Sequence, residues 1–364
     1  MRKTLEKTVK ELAAKRNVYG VGLFGSWTRG DAVTSSDIDL FILDKDDFTY
    51  EYVERIEHGG FLIDLDHVPK RWIQGPIPPE IDQKLYEMQI LYDRDWTLTN
   101  TKLLMAKSYS SPERVDIRTE AHVVESDIYL SRATSAFSRQ DFKSSHVFAT
   151  VALENTLKVL VEIALQPFSN SRFMETAQSS AAKLGTRSPF DEYVELTGFS
   201  RVDSTHAKDR LRLFKTIWDD INTEAKQNLP TLESTHFKVE TRLNYCLNAA
   251  FLQGVVLRAN ALIEAEKTIE ALHYLNNILI DIVENYAWLK SSIDKVKIDY
   301  TTLIRSIEGL EGENSTNYKN ITTFLGLGTT DRIVAAKEID KTREAMLRIR
   351  RDRKLLIKNH LLKT

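Results

Sequence analysis

Apolar and polar positions follow two rhythms along this 364-residue chain, and the rhythm changes once. Leu5, Val9 and Leu12 recur at spacings of four and three, which predicts an amphipathic helix over residues 1–15. Short apolar runs then predict strands at 18–24, 37–43 and 61–68, with a last one at 88–93. Pro76, Pro78 and Pro79 forbid regular structure over residues 73–82, so a rigid loop is expected there. Ser111-Pro112 marks a boundary, and everything beyond it reads as helix. In HVFATVALENTLKVLVEIAL, Ala149, Leu153, Leu157, Leu160 and Ala164 form a helical stripe, and the other faces are also largely apolar. That predicts the central helix of a bundle, with Glu154, Lys158 and Glu162 as its thin polar stripe.

The last third carries a longer pattern. Leu272, Leu275, Leu279, Ile282, Tyr286, Leu289, Ile293, Val296, Tyr300, Leu303, Ile307 and Leu310 alternate spacings of three and four. No glycine or proline interrupts residues 255–308, so a sustained heptad seam is expected. GLEGENSTNYKN then breaks the helix, and Ala335, Ile339, Thr342, Met346, Ile349, Arg353 and Leu356 form a second seam. Two such helices predict an antiparallel, coiled-coil-like hairpin, packed on itself or on a second copy in a homodimer. Two long helices of a compact bundle fit the same pattern. The fold class expected is α+β: a small mixed-sheet domain at 1–110, a helical bundle at 111–267 and a helical hairpin at 268–364.

Charge changes this picture only locally. The net charge is −2, which gives no global affinity for nucleic acid. Residues 331–364 nevertheless hold eleven Lys/Arg against five Asp/Glu, so this segment carries +6 and the remainder −8. Such a helix could attract RNA or present a solvated face, and it lacks aromatic residues for base stacking. Cys246 is the only cysteine, which excludes an intrachain disulfide and suits a reducing compartment. The N-terminus lacks the apolar run of a signal peptide, and no stretch approaches an uncharged membrane span. A cytoplasmic protein with no membrane partner is expected.

The candidate chemistry lies in GLFGSWTRGDAVTSSDIDLFIL, residues 22–43. A strand runs into Gly25-Ser26, a turn tight enough for a phosphate to approach the backbone. Asp37 and Asp39 follow, one apolar residue apart, and period-two geometry puts both carboxylates on one strand face. Paired carboxylates are costly without a cation between them, so a divalent metal is expected. A further acidic strand, GFLIDLDHV, offers Asp64 and Asp66, again on one face, and spacing does not choose between them.

Gly25, Ser26, Arg29, Gly30, Ser36, Asp37, Asp39 and Leu40 resemble the pattern of nucleotidyltransferases of the DNA polymerase beta-like superfamily. The resemblance is to the minimal and kanamycin-type enzymes, and covers about the first quarter of the chain. Trp27 and Thr28 depart from the usual residues of the turn. The resemblance implies Mg²⁺ or Mn²⁺ on Asp37, Asp39 and a third carboxylate, for which Asp64 fits better than Asp66. It also implies Gly25, Ser26, Arg29 and Ser36 around a nucleoside triphosphate such as ATP. Transfer of a nucleoside monophosphate to an acceptor hydroxyl follows, the acceptor being a small molecule, a protein or RNA. Asp64 or Asp66 would also help to deprotonate that acceptor. The alternatives are a non-catalytic nucleotide-binding scaffold, or antitoxin-like partner, and an RNA-modifying nucleotidyltransferase. ALENTLKVLVE weakly resembles HEPN helical domains, some of which use an Arg/His pair as a ribonuclease. Arg201 and His206 have such a spacing, but SRVDSTH reads better as a capping segment.

Overall fold

The computed structural model describes residues 2–46 and 48–361. Its first part runs α1 (Arg2–Ala13), β1 (Val18–Phe24), α2 (Ser26–Arg29), β2 (Ile38–Asp44), β3 (Tyr52–His58), β4 (Phe61–Pro69), α3 (Asp82–Glu87), β5 (Gln89–Asp93) and α4 (Thr97–Ser108). Helices follow: α5 (Pro112–Ser138), α6 (Phe142–Ile163), α7 (Phe173–Lys183), α8 (Ser188–Thr197), α9 (Ser204–Gln227), α10 (Leu229–Glu233), α11 (Phe237–Cys246) and α12 (Ala249–Glu264). The chain closes with α13 (Thr268–Asp294), α14 (Leu303–Glu311), α15 (Thr316–Phe324) and α16 (Arg332–Leu361). The α+β class is as expected.

The chain forms two units. One comprises the residues up to Arg114 together with His236–Arg258; the other comprises Val115–Thr235 and the residues from Ala259 on. These limits differ from the expected division at 1–110, 111–267 and 268–364. The segment 236–258 joins the sheet-containing unit because α11 packs on β3. A helical period shows that a helix has a buried face but not which neighbour buries it.

In the first unit a five-stranded sheet has the order β3-β4-β2-β1-β5. β2 and β4 are parallel, and the other neighbours are antiparallel. Leu5 and Leu12 of α1 bury against Val18, Val21, Leu23, Ile38, Leu40, Ile42, Ile63 and Leu65, with Val9 partly covered. The helix at the N-terminus thus packs by the stripe its sequence predicts. β3 was not expected from the sequence. It pairs with β4 through Gly59-Gly60, whose φ values of 59° and 78° suit a two-residue hairpin turn. The proline loop ends in a short 3-10 turn at Pro79–Ile81, and α3 follows it.

The second unit is helical. α6 is buried on nearly every side and packs with α7, α8, α14 and α16. Its predicted polar stripe is not solvated: Glu154 and Glu162 are buried, with Lys158 2.9 Å from Glu154 and Arg118 2.6 Å from Glu162. Asp203 caps α9 by accepting from the backbone N–H of His206, whose ring lies 2.8 Å from the same carboxylate. The Arg201–His206 segment is therefore a cap, and Cys246 of the first unit is buried.

The expected hairpin is not formed. The uninterrupted stretch 255–308 breaks between α12 and α13, and the seam itself breaks at Lys295, which adopts φ 54° and ends α13. Leu272 to Leu289 are buried, whereas Val296 and Tyr300 are exposed. α13 packs along α9, and α16 packs along α6, where Ala335, Ile339, Thr342, Met346 and Ile349 are buried. The second seam is thus covered within the chain itself. Over a few turns, periods of 3.5 and 3.6 residues are nearly alike, so a bundle core reads as a heptad seam. Part of the basic charge of α16 is paired: Arg353 with Asp116 and Glu120, Arg350 with Asp127, and Lys341 with Glu195. Among the described residues no single helix is long and apolar enough to cross a membrane. The bent pair α11 and α12 passes by length and composition only.

Candidate active site

Strand register builds this site. Phe24 of β1 pairs with Asp39 of β2, Asp39 with Asp64 of β4, and Asp64 with Arg55 of β3. Residues in one cross-strand row project to the same face, so the sheet itself places Arg55, Asp64 and Asp39 side by side. Asp37 precedes β2 and lies on the same face two residues earlier. Ligand oxygens of Asp37, Asp39 and Asp64 all lie within 4.8 Å of one another.

Asp66 falls in the next row, opposite Phe41. It is buried, 2.5 Å from Lys84 Nζ, which also reaches Glu51 at 2.8 Å. Burial pushes its carboxyl up to about 6, against the pull of Lys84. The geometry therefore brings Asp64 into the acidic cluster and leaves Asp66 in an ion pair beside it.

Gly25 is required where it stands. Its backbone has φ 78° and ψ −151°, and a Cβ there would lie 2.3 Å from Asp39 Oδ2. Gly25→Ala is therefore expected to cost about 1–3 kcal/mol in backbone strain alone. It should also displace Asp39, lowering both the melting temperature and the affinity for Mn²⁺. A variant with parental melting and Mn²⁺ affinity would show that the close approach has no consequence.

The turn is secured from two sides. Trp27, a departure from the expected pattern, donates from Nε1 to the backbone carbonyl of Asp37 at 2.8 Å. Glu87 of α3 accepts from the backbone N–H of Gly25 at 2.8 Å and from Arg29 Nη1 at 2.8 and 2.9 Å. Arg29 is thus engaged by a carboxylate. Ser26 opens α2, and the Ser36 hydroxyl accepts from the Val33 N–H at 2.9 Å, closing the turn before β2.

Two arginines meet the acidic cluster. Arg55 donates to both oxygens of Asp64 at 2.6 and 2.5 Å and to Asp37 Oδ2 at 2.6 Å. Arg258 of α12 donates to Asp37 Oδ1 at 2.5 Å. Tyr245 of α11 donates to Asp64 Oδ2 at 2.9 Å, and its ring lies 5.4 Å from the Arg55 guanidinium. Burial alone would raise the Asp37 pKa, but Arg258 and Arg55 outweigh it and hold the carboxyl below the usual range. Asp39 has the opposite balance: burial, then the charges of Asp37 and Asp64, push it well above that range. A buried excess of negative charge is what a divalent cation relieves, so the three carboxylates fit Mg²⁺ or Mn²⁺.

Sequence reasoning missed Arg55, Glu87, Tyr245 and Arg258. Arg55 had a signal: the Gly59-Gly60 turn pairs His58 with Phe61 and so, counting back, Arg55 with Asp64. The other three come from α3, α11 and α12, and nothing local announces them.

Residues 3–95 match the model of the family described as the nucleotidyltransferase domain. No curated protein matches the chain. Among solved structures, a nucleotidyltransferase-like protein from Exiguobacterium sibiricum 255-15 is similar, with 13% identity and a TM-score of 0.33. That alignment covers 78% of this chain and 89% of that one, at a similarity too low to carry an argument. The family match extends across all five strands, and over them this chain is a nucleotidyltransferase domain.

Proposed function

We propose that this domain transfers a nucleoside monophosphate from a triphosphate, ATP in the first instance, to an acceptor hydroxyl, releasing pyrophosphate. The observation that carries this reading is the convergence of Asp37, Asp39 and Asp64 on one sheet face beside the Gly25 turn. Asp37, Asp39 and Asp64 would hold the divalent metal. When bound, the metal neutralises phosphate charge and aligns the reacting oxygens.

The chain's own residues then position and shield. Ser26 would present its backbone N–H to the β- and γ-phosphates, and the Gly25 N–H and Arg29, both held by Glu87, would turn to the phosphates once released from it. Ser36 supports the turn that delivers Asp37. Asp64 would complete the metal site, oriented by Arg55, which donates to both of its oxygens. Catalysis on this reading rests on positioning and charge neutralisation.

The experiment supplies labelled triphosphates with small-molecule, protein and RNA acceptors in Mg²⁺ or Mn²⁺. Label transfer is expected in the parent, lost in Asp64→Asn and retained within about tenfold in Asp66→Asn, since loss of a metal ligand removes several kcal/mol of transition-state stabilisation. Loss in Asp66→Asn alone would reverse the choice between the two aspartates. Nucleotide binding without transfer to any acceptor would favour the non-catalytic scaffold.

A further inference from the structure

We propose that Arg258 is an internal cation that competes with the divalent metal for Asp37, so that metal loading displaces it. This rests on the metal-dependent reading above and adds to it a residue from α12, outside the matched segment. The two arginines at the acidic cluster are built differently. Arg55 belongs to the sheet. Its side chain is only 4% exposed, it is aligned with Asp64 by strand register, and Phe251 lies 5.5 Å from its guanidinium. Space for it is reserved in α12 by Gly254, where a Cβ would lie 2.6 Å from Arg55 Nη1. Removing Arg55 would leave Asp64 buried without its counter-charge.

Arg258 arrives from outside the sheet, one helical turn beyond Gly254, and its side chain is 18% exposed. A long, partly solvated arginine side chain can carry its charged head towards water while its stem stays packed. Charge points the same way. In their ionised forms Asp37, Asp39 and Asp64 with Arg55 alone sum to −2, the charge that one divalent ion neutralises. With Arg258 also in place the cluster is −1, and an entering divalent ion would meet a guanidinium on one of its ligand oxygens. The ion and Arg258 therefore repel one another across a site partly closed to water.

The test is Mn²⁺ binding to the 364-residue protein without nucleotide, followed by paramagnetic resonance of the free ion. Arg258→Gln is expected to bind Mn²⁺ at least about tenfold more tightly than the parent, because a like charge has been removed from the ligand shell. Arg258→Lys keeps the charge and should remain within a few-fold of the parent, which separates charge competition from an altered fold. Thermal melting reports the same exchange: Arg258→Gln should start lower and gain more from Mn²⁺ than the parent does. Unchanged or weaker Mn²⁺ binding by Arg258→Gln, with normal binding by the parent, would overturn the competition and leave the metal site standing. Absence of Mn²⁺ binding in the parent and both variants, with triphosphate present as well, would overturn the metal-dependent reading itself.

Discussion

The Asp37→Asn, Asp39→Asn double variant is expected to fold and to lose metal-dependent triphosphate binding. Asparagine preserves the shape of each side chain but removes two of the three charges that offset a divalent ion. The fold should tolerate the change, because Asp39 holds a buried charge beside two others and gains from losing it. Against that, Arg258 loses its carboxylate, but its side chain can turn to water. Metal stabilisation of transferring phosphate is worth several kcal/mol, so transfer should fall by about 10³-fold or more. Calorimetry with Mn²⁺ and triphosphate, alongside the transfer assay, measures both quantities. Unchanged metal-dependent binding in a folded variant would remove the basis of the proposed function.

Leu289→Asp should have the largest effect on stability. Leu289 lies in α13 with no exposed surface, between Tyr286 and the end of the helix. Replacing it loses the burial of a leucine, about 2–5 kcal/mol, and places a carboxylate at a fully buried position. Domains of this size are stable by only about 5–15 kcal/mol, so one such change approaches the whole margin of the helical unit. A fall in melting temperature of about 10 °C or more is expected, with loss of helical circular dichroism. Melting at the parental temperature would show that the α13 face is not part of the core.

The same helix shows how far a periodic pattern can be read. Leu272 through Leu289 are buried as their spacing predicts, yet the partner is α9 and not α16. Periodicity records that a face is apolar, and bundle cores and coiled coils both satisfy it. The continuation through Val296 and Tyr300 was chance spacing, since both are exposed beyond the left-handed Lys295. β3 was overlooked for another reason. YVERIEH is charged at three of its seven positions, and only its pairing with β4 makes it a strand.

What the sequence determined by itself is the local geometry of the N-terminal domain. Gly25 at a turn only glycine tolerates, Asp37 and Asp39 two residues apart on one face, and the stripe of α1 all follow from short-range rules. Tertiary structure decided everything that joins distant segments. Asp64 stands with the pair because β4 lies parallel to β2 in a register that sets it opposite Asp39, while Asp66 meets Lys84 one row away. Arg55, Tyr245 and Arg258 reach the carboxylates from β3, α11 and α12, up to 221 residues from Asp37 in sequence. Local propensity acts over a few residues, whereas register and packing between segments are chosen by the burial and charge of the assembled whole. That is why the pair could be read from the sequence and the counter-ions around it could not.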